Sequence, residues 1–470
     1  MTTIRIMGTG VKSHRIDWSY KRALAELWRR SSYERGLISD PFGDASRAEQ
    51  GLARMRAVLA ALGDPHRHVP AVHIAGSKGK GSTGAFIASA ASQAGHRVGF
   101  YTSPHLHRFP ERISIDGQSL PDSEFAEEAR AVASAARQLE TSQPEIGQVT
   151  TFEMLTAMAF NAFARRRCRL AVVEVGLGGR YDSTNVVDPT VSVITRIDLE
   201  HISVLGPTYA DIAWQKAGIL RRGVPSVSSP QVPVAEETIR KVAREVGSPL
   251  QLGGRDWIWS GTWRSFEAKG PWGTLSRLSL GIPGPHQIEN ACTALAALHN
   301  IAAAGIHLTE AAIRTGLGTA RWPGRFERHI IDGRDVYFDG AHTPAAAIAL
   351  VEAWRDAVGS TPASVVIGMG ADKDVEAFLT ALRPLIGRLM VTRADSPRAS
   401  DPDIIAQAAA ALGIPYEVQP SVAAAVEAAQ ARDKAPVLIT GSLFVVGEGR
   451  EAIGLAEPDL DWLALNRTAN

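Results

Sequence analysis

In the second half of the chain, short apolar runs alternate with stretches in which apolar residues recur every three or four positions. VYFDG (336–340) reads as a strand ending in glycine, PAAAIALVEAWRDAVG (344–359) as a helix and ASVVIGMG (363–370) as a strand. VEAFLTALRPLIG reads as a helix and RLMVTRAD as a strand, and DPDIIAQAAAALG, YEVQP, SVAAAVEAAQARD and APVLITGS continue the alternation. Short buried strands separated by amphipathic helices predict a parallel sheet covered on both faces, so 328–470 reads as a doubly wound α/β unit. The first half repeats the style with longer insertions: AVHIAGSKGKGSTGAFIASAASQAG (71–95) is a strand, a glycine-rich turn and a helix of small residues, and RVGFYTSP, LAVVEVG and VSVITRI are further strands. Between about 250 and 282, mixed alternation around Trp257, Trp259 and Trp263 predicts an antiparallel β excursion on the first unit. ARWPGRFE (320–327), with Pro, Gly and two arginines, is the predicted boundary.

The 470 residues suggest about three domains at ~150 residues each, a number the pattern reduces to two, because the β excursion belongs to the first. Hydrophobic residues make up 45% and charged residues 21%, which predicts a folded chain rather than disorder. The net charge of +1 removes the electrostatic case for a nucleic-acid binder but not for a local anion site. Two cysteines, Cys168 and Cys292, imply no disulfide framework and a reducing compartment. The start lacks the apolar core of a signal peptide, and no run of about 18 apolar residues reads as a membrane span. The expectation is a cytoplasmic protein with no membrane partner.

Gly76-Ser77-Lys78-Gly79-Lys80-Gly81-Ser82-Thr83 follows a strand and opens a helix. Glycines let backbone N–H groups close on an anion, the helix N-terminus adds partial positive charge, and a lysine supplies a full one. The spacing departs from GxxxxGK[ST], since Gly81 separates Lys80 from Ser82; the alternative is a plain strand–helix turn with a solvated lysine. Glu174 ends an otherwise apolar strand, where a carboxylate must be paired, bound to metal or exposed. His201, after Asp198-Leu199-Glu200, is a ligand or a structural histidine, and Ser103 on its own is a turn serine. Lys216, beside Trp214, Ala217 and Ile219, can simply extend its stem over apolar surface to reach solvent. Asp339 and His342 sit at a strand-to-helix turn, where a ligand site and an N-cap are both open. Gly8-Thr9-Gly10 follows no clear strand and Gly176-Leu177-Gly178-Gly179 opens no evident helix, so neither points to NAD.

In order along residues 60–445, these motifs resemble the folylpolyglutamate synthase/dihydrofolate synthase family within the Mur ligase superfamily. The resemblance is carried by 76–83, Tyr101-Thr102-Ser103-Pro104-His105, Phe109-Pro110-Glu111-Arg112-Ile113, Thr151-Phe152-Glu153 and Glu174 through Asn185. It continues through His201, Lys216-Ala217-Gly218-Ile219, His286-Gln287 with Asn290, Trp322-Pro323-Gly324-Arg325-Phe326, Asp339-Gly340-Ala341-His342, Ala371-Asp372-Lys373-Asp374 and Thr440-Gly441-Ser442-Leu443. It implies a P-loop-containing Mur-ligase-type ATPase domain over 1–324 and a smaller Rossmann-like doubly wound glutamate-ligase domain over 325–470. The activity implied is ATP-dependent amide ligation of L-glutamate to dihydropteroate, reduced folate or both, through an acyl phosphate. The rivals are a related Mur-type ligase for another carboxylate, such as a peptidoglycan precursor, and a nucleotide-binding regulator without turnover.

The resemblance also implies residue roles. Gly79, Lys80, Gly81 and Ser82 would cradle phosphate, with Asn290, Arg325 and Asp339 as further ATP contacts. Ser103, Glu174 and His201 would hold Mg²⁺, of which two ions are expected. Lys216 would be carbamylated by CO₂. Thr150, Thr151, Phe152, Glu153, Tyr181, Asp182 and Ser183 would line the pterin side, with Phe152 suited to stack on a flat ring. His342 would serve the glutamate side or the γ-phosphate. A monomer is expected. The chain departs from the family at Ser77-Lys78, commonly Thr-Asn, which adds a cation to the P-loop; at Gln215, commonly Glu; and at Thr343, commonly Asn.

Overall fold

The computed structural model describes residues 19–30, 42–43, 45–431 and 434–467; Gly8-Thr9-Gly10 lies outside them. Strands β1 (Ala71–Ala75), β2 (Val98–Tyr101), β3 (Ile113–Ile115), β4 (Gln118–Ser119), β5 (Leu170–Glu174), β6 (Val191–Ile194), β7 (Ser226–Ser228) and β8 (Leu250–Leu252) form one sheet in the order 4-3-2-5-1-6-7-8. It is parallel except where β3 pairs with β2 and β4. Successive side chains on a strand face opposite ways, and here both ways are buried. Val72, Ile74 and Val172 pack with helices Lys80–Gln93 and Pro285–Ala303. Ala171 and Val173 pack with helices Asp122–Ser142 and Thr151–Arg165 on the other face. That double burial is why these strands read as unbroken apolar runs. By the same alternation Glu174 falls on the face of helix Lys80–Gln93, and His73 on the opposite face.

The β excursion consists of β9 (Ile258–Thr262), β10 (Ser265–Gly270) and β11 (Gly273–Leu278), an antiparallel sheet of its own. Its expected start near 250 is corrected: residues 250–252 are β8, a three-residue parallel edge strand beside β7, too short to carry a period of its own.

The second sheet holds β12 (Glu327–Ile331), β13 (Arg334–Phe338), β14 (Ala363–Ile367), β15 (Ile386–Val391), β16 (Tyr416–Val418) and β17 (Val437–Thr440), in the order 12-13-17-14-15-16. All pairings are parallel except the hairpin β12–β13. The hairpin turns at Asp332-Gly333, both at positive φ, as a two-residue turn between twisted strands requires. The carboxyl ends of β1 and β5 in the first sheet and of β13 and β17 in the second open on one cleft. Helix Leu460–Arg467 returns to the first sheet's side, with Trp462 edge-on to Trp28 at 4.9 Å and to Phe109 at 4.6 Å.

Candidate active site

The glycine-rich turn joins β1 to helix Lys80–Gln93, with Gly79 at the N-cap and φ of +88°. A Cβ on Gly79 would overlap the Asn290 side-chain oxygen, and one on Gly81 would lie 2.8 Å from Trp322 Nε1. The turn is thus pressed between helix Pro285–Ala303 and the linker, with room only for backbone. Lys80 Nζ donates to the Gly76 carbonyl at 3.1 Å and lies 3.9 Å from Glu174 Oε1. Ser82 is buried in the first helical turn.

Glu174 is buried and accepts from the Thr102 hydroxyl. Burial raises its carboxyl above the usual range, and Lys80, Thr102, Arg325 and the Ser103 backbone oppose that rise. The buried carboxylate, the half-buried Ser103 and the His201 imidazole form a hard oxygen-and-nitrogen donor set, which suits Mg²⁺ or Mn²⁺. Among the described residues no three His, Cys, Asp or Glu side chains converge as a ready-made metal cage. An ion bound here would therefore share phosphate oxygens and water with these donors. His201 sits at the cleft rim at φ +46°, its side chain exposed. The surrounding protein nonetheless holds its imidazole below the ordinary range, with Glu200 opposing and Lys216 and Lys80 adding to the shift.

Lys216 does not reach solvent, which corrects the reading of its stem as a solvated surface arm. It is 1% exposed, and its Nζ donates to the Gly76 carbonyl and to Glu200 Oε1, each at 2.9 Å. Burial lowers its ammonium pKa, with Glu200 opposing. Glu200 is held down to about 2: burial raises it, but Lys216, Lys80 and Lys78 outweigh burial. Lys78 Nζ lies 3.9 Å from the other Glu200 oxygen. Glu200, which sequence reasoning passed over for its neighbour His201, therefore ties the P-loop to helix Tyr209–Lys216.

From the second unit, Asp339 at the end of β13 accepts from Phe326 N at 2.8 Å and Ala341 N at 2.9 Å. It is not the N-cap; Thr343 is, accepting from Ala346 N. Arg325 lies close enough to Asp339 and Glu174 to pull down both carboxyls against burial. His342 Nδ1 lies 2.8 Å from the Gly340 carbonyl; a carbonyl only accepts, so Nδ1 carries the proton and Nε2 keeps a lone pair. Burial lowers this imidazole to about 4, so it is neutral at pH 7. A cavity of about 740 Å³ lies between the units, lined by Gly81, Ser103, Glu174, Trp322, Arg325 and Leu443 among others.

The residues expected on the pterin side group around the start of helix Thr151–Arg165 and the turn after β5. Thr150 and Glu153 form a reciprocal capping box, and Glu153 also takes Arg54 Nε at 2.9 Å and Nη2 at 2.7 Å. The Thr151 hydroxyl donates to the Leu27 carbonyl at 2.9 Å. Asp182 accepts from Leu177 N and Thr184 N, each at 2.9 Å. These four side chains are engaged within the fold. Phe152, Tyr181 and Ser183 are half-buried. The Phe152 ring lies 6.1 Å from that of Tyr101 and packs so tightly on Gly176 that a Cβ there would overlap it. Arg54 was outside the sequence reading; its partner is 99 positions away, and its only local signal is a place on an amphipathic helix.

Comparison with known proteins adds two matching family models, Mur ligase middle domain over 74–298 and Mur ligase, glutamate ligase domain over 324–443. The chain is 34% identical over 413 residues to a dihydrofolate synthase/folylpolyglutamate synthase of Bacillus subtilis, covering 86% of this chain and 95% of the relative. A crystal structure of Escherichia coli FolC in complex with DHPP and ADP superposes with a TM-score of 0.79 at 34% identity, covering 93% of this chain and 98% of that one. A bifunctional folylpolyglutamate synthase/dihydrofolate synthase with Mn, AMPPNP and L-glutamate bound gives a TM-score of 0.74 at 31% identity, covering 85% and 93%.

Proposed function

The chain belongs to the dihydrofolate synthase/folylpolyglutamate synthase family of Mur ligases, and from that premise we propose how its own residues carry the reaction and which acceptors it takes. It is an ATP-dependent ligase that joins glutamate to folates. The acceptor is dihydropteroate, reduced folate or both. The observation that supports the reading best is the meeting of Lys80, Glu174 and Arg325 at the cleft between the two units.

The γ-phosphoryl of ATP passes to the acceptor carboxylate, breaking its bond to ADP and forming an acyl phosphate. The glutamate amine then attacks the acyl carbon, phosphate leaves, and the amine gives up a proton. Such a transfer needs alignment and charge neutralisation more than covalent help. The N–H groups at Gly79, Lys80, Gly81 and Ser82 and the Lys80 ammonium cradle the phosphates, and Asn290, Arg325 and Asp339 fix the rest of the nucleotide. Ser103, Glu174 and His201 are the groups that would hold Mg²⁺, which when bound neutralises phosphate charge. His342 is neutral with an open Nε2 lone pair, which suits accepting from the glutamate amine rather than binding phosphate. Phe152, Tyr181 and Ser183 face the pterin, while Thr150, Thr151, Glu153 and Asp182 position them. Residues 1–324 and 325–470 are the two working units, in a monomeric, cytoplasmic enzyme; among the described residues no helix is long and apolar enough to cross a membrane. The deciding assay measures ADP release with ATP and glutamate against dihydropteroate and tetrahydrofolate separately. A folded, ATP-binding protein that releases no ADP with either acceptor would overturn the reading.

Lys216 is read as a carbamate: its neutral amine adds CO₂ and releases a proton, and the product supplies a further anionic oxygen donor. A buried amine whose pKa burial lowers is disposed to this. With ¹³C-bicarbonate and nucleotide, a carbamate carbon signal should appear in the wild type and be missing in Lys216→Arg; no signal in either sinks the assignment.

Lys78→Asn, which restores the family's common residue, should raise the ATP KM by about three- to tenfold, the loss of one partly screened cation. Glu200 would keep its shorter pair with Lys216, so the thermal midpoint should barely move; steady-state kinetics and a melting curve check both.

A further inference from the structure

His73 is the one member of β1 whose side chain is polar, and it is fully buried in the strand that leads into the phosphate turn. Its Nε2 lies 2.8 Å from the Thr184 hydroxyl oxygen. That hydroxyl donates to Asp182 Oδ1 at 2.5 Å, and the same oxygen takes Thr184 N at 2.9 Å. The other Asp182 oxygen takes Leu177 N at 2.9 Å. Protons can be assigned along this chain. Asp182, where ionised, only accepts, so Thr184 must use its single proton on Asp182. His73 must then be the donor to Thr184, which fixes the Nε2–H form and leaves Nδ1 as a bare lone pair. Nδ1 indeed has no partner. Burial, with Arg221 adding, lowers the imidazole to about 3, so it stays neutral and keeps this form at working pH.

We propose that His73 is a positioning residue for the acceptor side: through Thr184 and Asp182 it sets the turn 176–183 that carries Tyr181 and Ser183. The inference rests on the reading of that turn as the acceptor side. It also explains why a strand otherwise built from Ala, Val and Ile carries an imidazole at its centre. An apolar residue would fill the space but leave Thr184 free to rotate its proton away from Asp182, and the turn would lose its fixed register against Phe152 and helix Tyr209–Lys216. The phosphate turn draws its own order from Asn290, Trp322 and the two lysines on the Gly76 carbonyl, none of which lies in this chain.

The test compares KM for the acceptor and for ATP in the full-length enzyme, with whichever of dihydropteroate or tetrahydrofolate the wild type turns over. His73→Leu and Thr184→Val should each raise the acceptor KM by about tenfold while the ATP KM stays within about twofold. His73→Gln, whose amide N–H reaches about as far as Nε2, should recover most of the loss. The two disruptive changes together should cost no more than either alone, because they cut one chain. Thr184→Val is near-isosteric and keeps the test open should His73→Leu fail to fold. Equal rises in both KM values, or no rise in either disruptive variant, overturn the relay. Tyr181→Ala separates the two failures: if it raises the acceptor KM while His73→Leu and Thr184→Val do not, the relay falls and the acceptor reading stands. If it too leaves the acceptor KM unchanged, both fall.

Discussion

Lys80→Ala should lower kcat by about 10³-fold or more, the loss of a preorganised cation at transferring phosphate. The substitution acts twice. It removes the charge held 3.1 Å from the Gly76 carbonyl, where the turn can only present it to the phosphates. It also removes the first of the groups that hold down the buried Glu174 carboxyl, leaving Thr102, Arg325 and a backbone N–H to oppose desolvation alone. Glu174→Gln isolates the second effect. It has the same shape and can still accept from Thr102, but it is uncharged, and it should cost about 10²–10³-fold in kcat with the melting midpoint kept or raised, because an ionised group leaves the interior. Turnover of ATP with glutamate and acceptor, beside a thermal melt, reads both. Wild-type turnover in both variants would show that the chemistry lies elsewhere.

Much of this cleft was legible because its signals are local. The turn 76–83 announces itself by glycine spacing between a strand and a helix, and Glu174 by being the only charge on an apolar strand. What stayed hidden depends on partners far apart in sequence. Lys216 reads as a surface lysine from its neighbours Trp214 and Ile219, but its partner carbonyl is 140 positions away. Arg54 and Glu153 are 99 apart, and His73 and Thr184 are 111 apart. Glu200 was in plain view yet looked like a solvated residue of a charged loop; only the fold brings Lys78 and Lys216 to its two oxygens. One omission was local. The alternation in FERHIIDGRDVYF, with Asp332-Gly333 at its centre, spells the β12–β13 hairpin, and reading VYFDG alone as the first strand missed it.

The family resemblance supplied roles that geometry then ranked. Seven residues were expected at the pterin, and four of them are bound up inside the fold, so substitutions there act on placement before contact.

Gly76→Ala should be the most damaging single-methyl change in the cleft. Gly76 has φ +149°, where L side chains are strained, and a Cβ there would overlap Thr195 Oγ1 while lying 2.9 Å from Thr195 Cβ and 3.1 Å from its carbonyl carbon. Thr195 cannot yield: its N–H is held by the Ala75 carbonyl at 2.8 Å, and it continues β6 in the centre of the sheet. The turn itself must move. Its carbonyl is the shared acceptor of Lys80 Nζ and Lys216 Nζ, so one displacement misdirects both ammonium groups, and Ser77 N and Lys78 N lose their fixed distance to the Arg196 carbonyl. Backbone strain and overpacking together should cost about 2–4 kcal/mol of stability, and ATP affinity should fall by about 100-fold through misplaced phosphate donors. Gly95→Ala is the control. That glycine ends the same helix region at φ +84° with nothing within 4 Å of a Cβ, so only the strain of about 1 kcal/mol applies and nucleotide binding should be untouched. Calorimetric titration with ATP and a melting curve on the two variants separate the causes: if Gly76→Ala loses no more than Gly95→Ala, the shared carbonyl does not aim the lysines.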